Sequence, residues 1–184
     1  MNDDFGPLTY SEVMELWQER ELFSRFPKLR LPVVNDELYY FDQYCAAEAV
    51  DFFENELEHV EGPQAGEKFK LEEWQMYVVA MLYGWKEKTF DENGGWINTF
   101  EQRERDLRKF RETLIFIPRK NGKSFLGAGF GLKGLFNDNE PGARVVSAAA
   151  EREQAALIFD VAKKIVDENP NFSQDSESFR RSVS

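Results

Sequence analysis

Cysteine is nearly missing from this chain: Cys45 is the only one in 184 residues. A lone thiol forms no intramolecular disulfide and leaves no Cys-based zinc site to build, which fits a reducing compartment. Net positive charge is missing as well, since 23 Lys and Arg face 34 Asp and Glu for a formal net charge of −11. Non-specific affinity for nucleic acid comes from Lys and Arg neutralising phosphates. Any contact with DNA therefore has to come from a local patch or from another part of an assembly. No run approaches the roughly 18 apolar residues that a membrane span needs. Met1–Tyr10 holds two Asp and no Lys or Arg, unlike a secretory leader. Histidine is reduced to His59, which stands among acids, and no metal or catalytic role is expected of it. Internal repeats are absent.

What is present is material for a core. Hydrophobic residues make up 42% of the chain, with 17 Phe and 4 Trp, a composition that folds rather than stays disordered. The chain divides into an acidic helical region over 1–66, a main domain over 67–172 and a polar tail over 173–184. In the first region Asn35 is placed to cap a helix running to His59, with Leu38, Phe41, Cys45, Ala49, Phe52 and Phe53 on its apolar face. Gly62, Pro63 and Gly66 mark a loop. Leu71, Trp74, Val78, Met81 and Leu82 share one face of a second helix, with Gly84 as its C′ residue. Asn93-Gly94-Gly95 breaks the chain again. Arg103, Arg105, Arg108, Lys109 and Arg111 are interleaved with acids and read as a mixed-charge solvated helix, with contact to DNA or a neighbouring subunit as the other reading.

From Thr113 onward the pattern alternates. Thr113–Ile117 has the length of a buried strand, Phe125–Phe136 that of a helix, and Asn137–Gly142 the composition of a turn. Ala143–Ala150 reads as a second strand. Glu151 to Asp167 reads as an amphipathic helix with Ala155, Ile158, Ala162, Ile165 and Val166 inward. This order predicts an α/β fold with a parallel sheet flanked by helices.

Between the first strand and its helix lies Ile117-Pro118-Arg119-Lys120-Asn121-Gly122-Lys123-Ser124. Gly122, Lys123 and Ser124 match the phosphate-loop pattern G-x-x-x-x-G-K-[ST], while Ile117 stands where its first glycine would be. The chemistry needs these types. Gly122 lets backbone approach a phosphate closely. The Lys123 ammonium bridges terminal phosphates, the Ser124 hydroxyl is a hard oxygen for Mg²⁺, and the helix that follows turns its positive end to the same anion. A second reading stays open: Asn-Gly is also a strong hairpin turn, and Gly127, Gly129 and Gly131 each cost a helix about 1 kcal/mol relative to Ala.

Pro118 to Ser124 after an apolar strand resembles the variant Walker A loop of tailed-phage terminase large subunits, which often lacks the first glycine. Phe69–Gln75, with Trp74 and Gln75, resembles the adenine-side motif of that family. Ser147–Ala150 with Gln154 and Ala155 resembles the strand-to-helix segment after the loop, and Phe41, Ala46, Ala49, Phe53 and Glu54 fit its N-terminal helix. The resemblance spans Leu31 to Phe172. It implies the N-terminal part of a P-loop NTPase domain, RecA-like, with ATP and Mg²⁺ as ligands. Lys123 would hold the β- and γ-phosphates, Ser124 the Mg²⁺, and Arg119 the charge developing at the γ-phosphate. Gln75 and Trp74 would face the adenine, and Pro118, Lys120, Asn121 and Gly122 would line the cradle. The implied partners are double-stranded DNA through the complete protein, a small terminase subunit and a portal protein, in a homo-oligomeric ring within the bacterial cytoplasm.

Hydrolysis needs more than a cradle. The family carries an apolar strand ending in Asp-Glu downstream of the loop, and then a nuclease built on metal-binding carboxylates. Nothing after Ser147 has either form, and Leu31–Glu37, which ends in Asp-Glu, precedes the loop. The expectation is an N-terminal piece that binds ATP and hydrolyses little by itself. A helicase or nucleotide kinase with the same loop, and a non-catalytic remnant or interaction module, are the alternatives.

Overall fold

A computed structural model describes residues 6–26, 29, 32–138 and 141–173. The chain forms two compact units, Met1–Val50 with Leu71–Leu114, and Asp51–Lys70 with Ile115–Ser184.

The first unit contains β1 (Pro7–Leu8), α1 (Tyr10–Glu19), α2 (Leu22–Arg25), β2 (Tyr39–Asp42), α3 (Gln43–Asp51), α4 (Glu73–Gly84), β3 (Trp85–Glu87) and α5 (Phe100–Arg105). Thr9 starts α1 with a capping box. Its hydroxyl accepts from the Glu12 N–H at 3.4 Å, and its own N–H donates to the Glu12 carboxylate at 2.7 Å. That backbone donor holds the Glu12 carboxyl below its ordinary pKa.

The helix expected to start at Asn35 starts eight residues later. The Asn35 side chain accepts from the Glu37 N–H at 2.9 Å, closing a turn of its own. The aromatic run Tyr39-Tyr40-Phe41 then forms β2, and Asp42 accepts the Cys45 N–H at 3.0 Å to open α3. β2 is the centre of a three-stranded antiparallel sheet, with Leu8 opposite Phe41 on one side and Trp85 opposite Phe41 on the other.

The core of this unit gathers Val13, Trp17, Leu22, Phe41, Ala46, Tyr77, Ala80, Met81 and Trp85. The face expected for α4 is only partly the buried one: Met81 is buried, but so are Tyr77, Val79, Ala80 and Tyr83, while Trp74, Val78 and Leu82 are half-buried. A helix apolar all round does not reveal its inner side by periodicity. Gly84 is the last residue of α4, not a residue beyond its end. A Cβ there would lie 2.3 Å from Cε2 of Phe41, so close approach of the ring, rather than chain reversal, requires the glycine.

The basic stretch expected as one helix is divided. α5 ends at Arg105, and Asp106 turns inward to accept from Tyr40 Oη at 2.9 Å, Thr89 Oγ1 at 2.6 Å and Gln102 Nε2 at 2.8 Å. Burial, with Asp106 beside it, raises the Tyr40 phenol far above its usual range. Residues after Asp106 run alongside β3, where the Glu87 N–H donates to the Leu107 carbonyl and the Lys109 N–H to the Trp85 carbonyl. The helix ends where a set of donors meets the Asp106 carboxylate.

The second unit opens with a π-helical turn at Phe52–Glu56 and continues through α6 (Lys123–Phe136), α7 (Arg152–Glu168) and α8 (Pro170–Ser173). The expected break at Gly62–Gly66 is present as a turn-rich loop. α6 lies against Phe53, whose ring stands 5.3 Å from that of Phe130. Phe172 meets Phe52 and Phe136 with centroids at 6.1 and 4.8 Å. Asn169 donates to the Glu56 carbonyl at 2.6 Å and accepts from the Asn171 N–H at 2.9 Å, fastening α8 to the π-helical turn. In α7 the expected inner residues Ile165 and Val166 are buried, Ala155 and Ala162 half-buried, and Ile158 lies at 36% exposure.

The parallel sheet is not found among the described residues. Residues 113–117 and 143–149 carry no regular secondary structure, and Leu114, Phe116 and Val146 are 92%, 95% and 82% exposed. A strand exists only with a ladder partner, and neither segment has one among the described residues. The α/β character is that of helices with a small antiparallel sheet. No helix among the described residues is long and apolar enough to cross a membrane. The tail beyond Ser173 lies outside the described residues.

Two of the α6 glycines differ in what they permit. A Cβ on Gly129 would stand 2.3 Å from Cε1 of Phe53, and one on Gly127 would stand 3.2 Å from Cδ1 of Ile158. Gly129→Ala is expected to destabilise by about 1–3 kcal/mol through overpacking. Gly127→Ala is expected to be close to neutral, because a helix gain of about 1 kcal/mol offsets a contact that the Ile158 methyl can yield. Denaturant midpoints at unchanged m-value read the difference.

Candidate functional site

The segment from Ile117 to Ser124 joins an extended stretch to the amino end of α6. Arg119 and Lys120 form a turn, and Lys120 takes a left-handed backbone, φ 69°. Gly122 is left-handed too, φ 67° and ψ 19°, and serves as the N-cap of α6. Such a conformation costs a residue with a Cβ about 1–2 kcal/mol, and strain of this kind concentrates at ligand sites. The two reversals fold the loop over itself. Asn121 Nδ2 donates to the carbonyls of Pro118 and Arg119, each at 3.3 Å, and Lys123 Nζ reaches back to the Ile117 carbonyl at 3.0 Å.

The hairpin reading of Asn121-Gly122 does not hold. The chain leaves Gly122 directly into a 14-residue helix. The intrahelical bonding of α6 begins with the Leu126 N–H donating to the Gly122 carbonyl at 2.9 Å. The amides of Lys123, Ser124 and Phe125 precede it and have no acceptor within the helix. No side chain caps them, and no acidic residue stands in the first turn. Residues 118–124 are all exposed. Among the described residues no carboxylate pairs with Arg119, Lys120 or Lys123. Open amides, a positive helix end and three cations make a surface that an anion of several charges fits.

Pro118, Arg119, Lys120, Asn121, Gly122, Lys123 and Ser124 are thus contiguous in the second unit. Ser147 lies in the same unit and donates its hydroxyl to the Ala155 carbonyl at 2.8 Å, tying the 143–150 stretch to the first turn of α7. Trp74 and Gln75 sit in α4 of the first unit. Gln75 is buried, and its Oε1 accepts the Glu72 N–H at 2.8 Å, half of a reciprocal cap at the start of α4. Trp74 is half-buried.

One group near the loop escaped the sequence reading. The rings of His59 and Phe69 lie against Phe125, the residue after Ser124. The contact joins residues far apart in the chain, so no local periodicity announces it.

Comparison with known proteins bears on this segment directly. Residues 96–181 match the family described as the terminase large subunit, ATPase domain. The large terminase subunit of Enterobacteria phage HK97 is 40% identical over 62 residues, which is 33% of this chain. The chain covers only 12% of the length of that relative. A crystal structure of the HK97 bacteriophage large terminase superposes with a TM-score of 0.49 at 23% identity, covering 73% of this chain and 23% of the other.

The backbone at the two reversals is open to test. Gly122→Ala is expected to lower stability by about 1–2 kcal/mol, the cost of a Cβ in the left-handed region. Lys120→Gly is expected to stay within about 1 kcal/mol of the parent, relief of strain offsetting the added freedom of the unfolded chain. Thermal and urea unfolding of both variants measure this.

Proposed function

We infer that this chain, which over residues 96–181 matches the family described as the terminase large subunit, ATPase domain, is the N-terminal ATP-binding portion of a phage or prophage terminase large subunit. The complete protein would be the ATPase motor that packages double-stranded DNA into procapsids in the bacterial cytoplasm. It would act there as a homo-oligomeric ring with a portal protein and a small terminase subunit. The observation that carries the reading is the amino end of α6: a left-handed Gly122, three open amides, and Lys123 and Ser124 beside them.

In this reading the amides of Lys123 to Phe125 and the Lys123 ammonium hold the β- and γ-phosphates. Lys123 exchanges the Ile117 carbonyl for a phosphate oxygen. Arg119 approaches the γ-phosphate, where its planar fork spreads charge over several oxygens. The Ser124 hydroxyl is exposed and is the hard oxygen donor that Mg²⁺ accepts, the rest of its shell coming from phosphates and water. Bound there, Mg²⁺ would neutralise phosphate charge. Gln75 and Trp74 serve the adenine, with the Gln75 amide nitrogen as donor while its carbonyl caps α4. The exposed apolar side chains at Leu114, Phe116, Val145 and Val146 support assignment of 113–117 and 143–150 to strands of a RecA-like parallel sheet.

The purified chain is expected to bind a non-hydrolysable ATP analogue with Mg²⁺ and to hydrolyse ATP near background. Lys123→Ala removes charged hydrogen bonds of about 1.5–3 kcal/mol, so affinity should fall by about tenfold or more. Calorimetric titration measures binding, and phosphate release measures turnover. Absence of binding would remove the ATP-site assignment. Robust Mg²⁺-dependent turnover lost in Lys123→Ala would show that the chain hydrolyses ATP unaided.

A further inference from the structure

Helix α6 leaves the phosphate loop through its weakest part. The first turn of a helix is held by the fewest hydrogen bonds and opens most readily. Asn121 to Ser124 are exposed, and Phe125 is the first side chain of this run with partial burial. Its ring is therefore a point at which the rest of the unit can hold the exit of the loop, beside the Lys123 bond to the Ile117 carbonyl and the buried Leu126.

Phe125 meets the two arms of the 57–69 loop, which is an irregular hairpin. The Phe69 N–H donates to the Leu57 carbonyl at 2.9 Å, the His59 N–H to the Glu67 carbonyl at 2.9 Å, and the Gly66 N–H to the His59 carbonyl at 2.7 Å. Lys68 pairs with Glu58 at 2.8 Å, and Glu61 accepts from Lys164 of α7. Fixed in this way, the hairpin presents two rings to Phe125. The Phe69 centroid is 4.3 Å away with the planes 31° apart, and the His59 centroid is 5.1 Å away at 36°. His59 and Phe69 also meet edge-on at 5.1 Å. All three distances fall within or just below the range in which aromatic pairs attract beyond their buried area.

From this we propose that His59 is a positioning residue for the phosphate loop. Its ring closes the triad on Phe125 and fixes the first turn of α6, and with it the direction of the Lys123 to Phe125 amides. His59 acts as an aromatic plate and does not touch the nucleotide. Its consequence for binding rests on the ATP site proposed above. The triad should therefore set affinity for the phosphate chain and leave base recognition alone.

The test uses the purified chain at a temperature where circular dichroism shows each variant folded. In His59→Ala the Leu126 amide should exchange with deuterium about 3- to 10-fold faster, from loss of the His59–Phe125 pair, the one of its two aromatic pairs that bears on the turn. Dissociation constants for a non-hydrolysable ATP analogue and for inorganic tripolyphosphate should rise by the same factor, about 3- to 10-fold. His59→Phe should restore all three. Unchanged exchange and affinities would overturn the proposal. So would a loss confined to the ATP analogue, which means base contact, or a failure of His59→Phe to rescue, which means imidazole chemistry. If His59→Ala does not fold, His59→Leu keeps the bulk without the aromatic face and should move the readouts the same way. A wild-type chain that binds neither ligand would remove the ATP site, while the exchange comparison would still decide whether His59 positions the turn.

Discussion

Helix α6 lies where it does because Gly129 presents bare backbone to the Phe53 ring. A Cβ at that position would stand 2.3 Å from a ring carbon, well inside contact distance. The ring then continues into Phe130, and the π-helical turn that carries Phe53 is itself tied to α8 through Asn169. Everything at the amino end of α6 inherits this placement. The loop that ends at Gly122, the open amides and the Phe125 ring are carried by a helix whose middle packs closely on the Phe53 ring.

A helix packed closely in its middle can still open at its end. The reversals at Lys120 and Gly122 have a left-handed backbone that costs energy for any residue with a Cβ. The loop meets that cost with its own hydrogen bonds, from Asn121 and Lys123 to carbonyls at Ile117, Pro118 and Arg119. In the ATP-binding reading proposed above, those same groups are the ones a phosphate chain would recruit. A loop held by contacts it can exchange for ligand contacts is suited to binding, and it needs outside support for the turn that follows. The rings of the 57–69 loop stand at that turn.

Some of this was legible in the residues. The turn at Pro118–Gly122 with a helix directly after it, the helix after Ala150, and the breaks at Gly62–Gly66 and Asn93–Gly95 stand close to where local pattern put them. The likeness to terminase large subunits, read from Pro118–Ser124 and its flanks, agrees with the family match over 96–181. Other features were misread for one reason. Asn35 was assigned a helix it does not cap, because Tyr39–Asp42 pairs with β1 and β3. The basic stretch reads as one helix by pattern but ends at Asp106, because two of the donors that meet its carboxylate come from Tyr40 and Thr89, outside the stretch, with Gln102 as the third. Gly84 and Gly129 look like an end signal and a helix defect, yet each answers to a ring from elsewhere.

The sequence by itself determined what is local: a glycine that can turn left-handed, a lysine and a serine directly after it, and a largely apolar run of helical length without an acid in its first turn. These act over a few residues, so their order along the chain is enough. Only the tertiary structure decided what is relational. It joined Tyr39–Asp42 to strands on both sides, left 113–117 and 143–150 without a ladder among the described residues, and placed His59 and Phe69 against Phe125. A strand, a close approach and a ring stack each need a partner, and the partner's position is not written next to the residue that needs it.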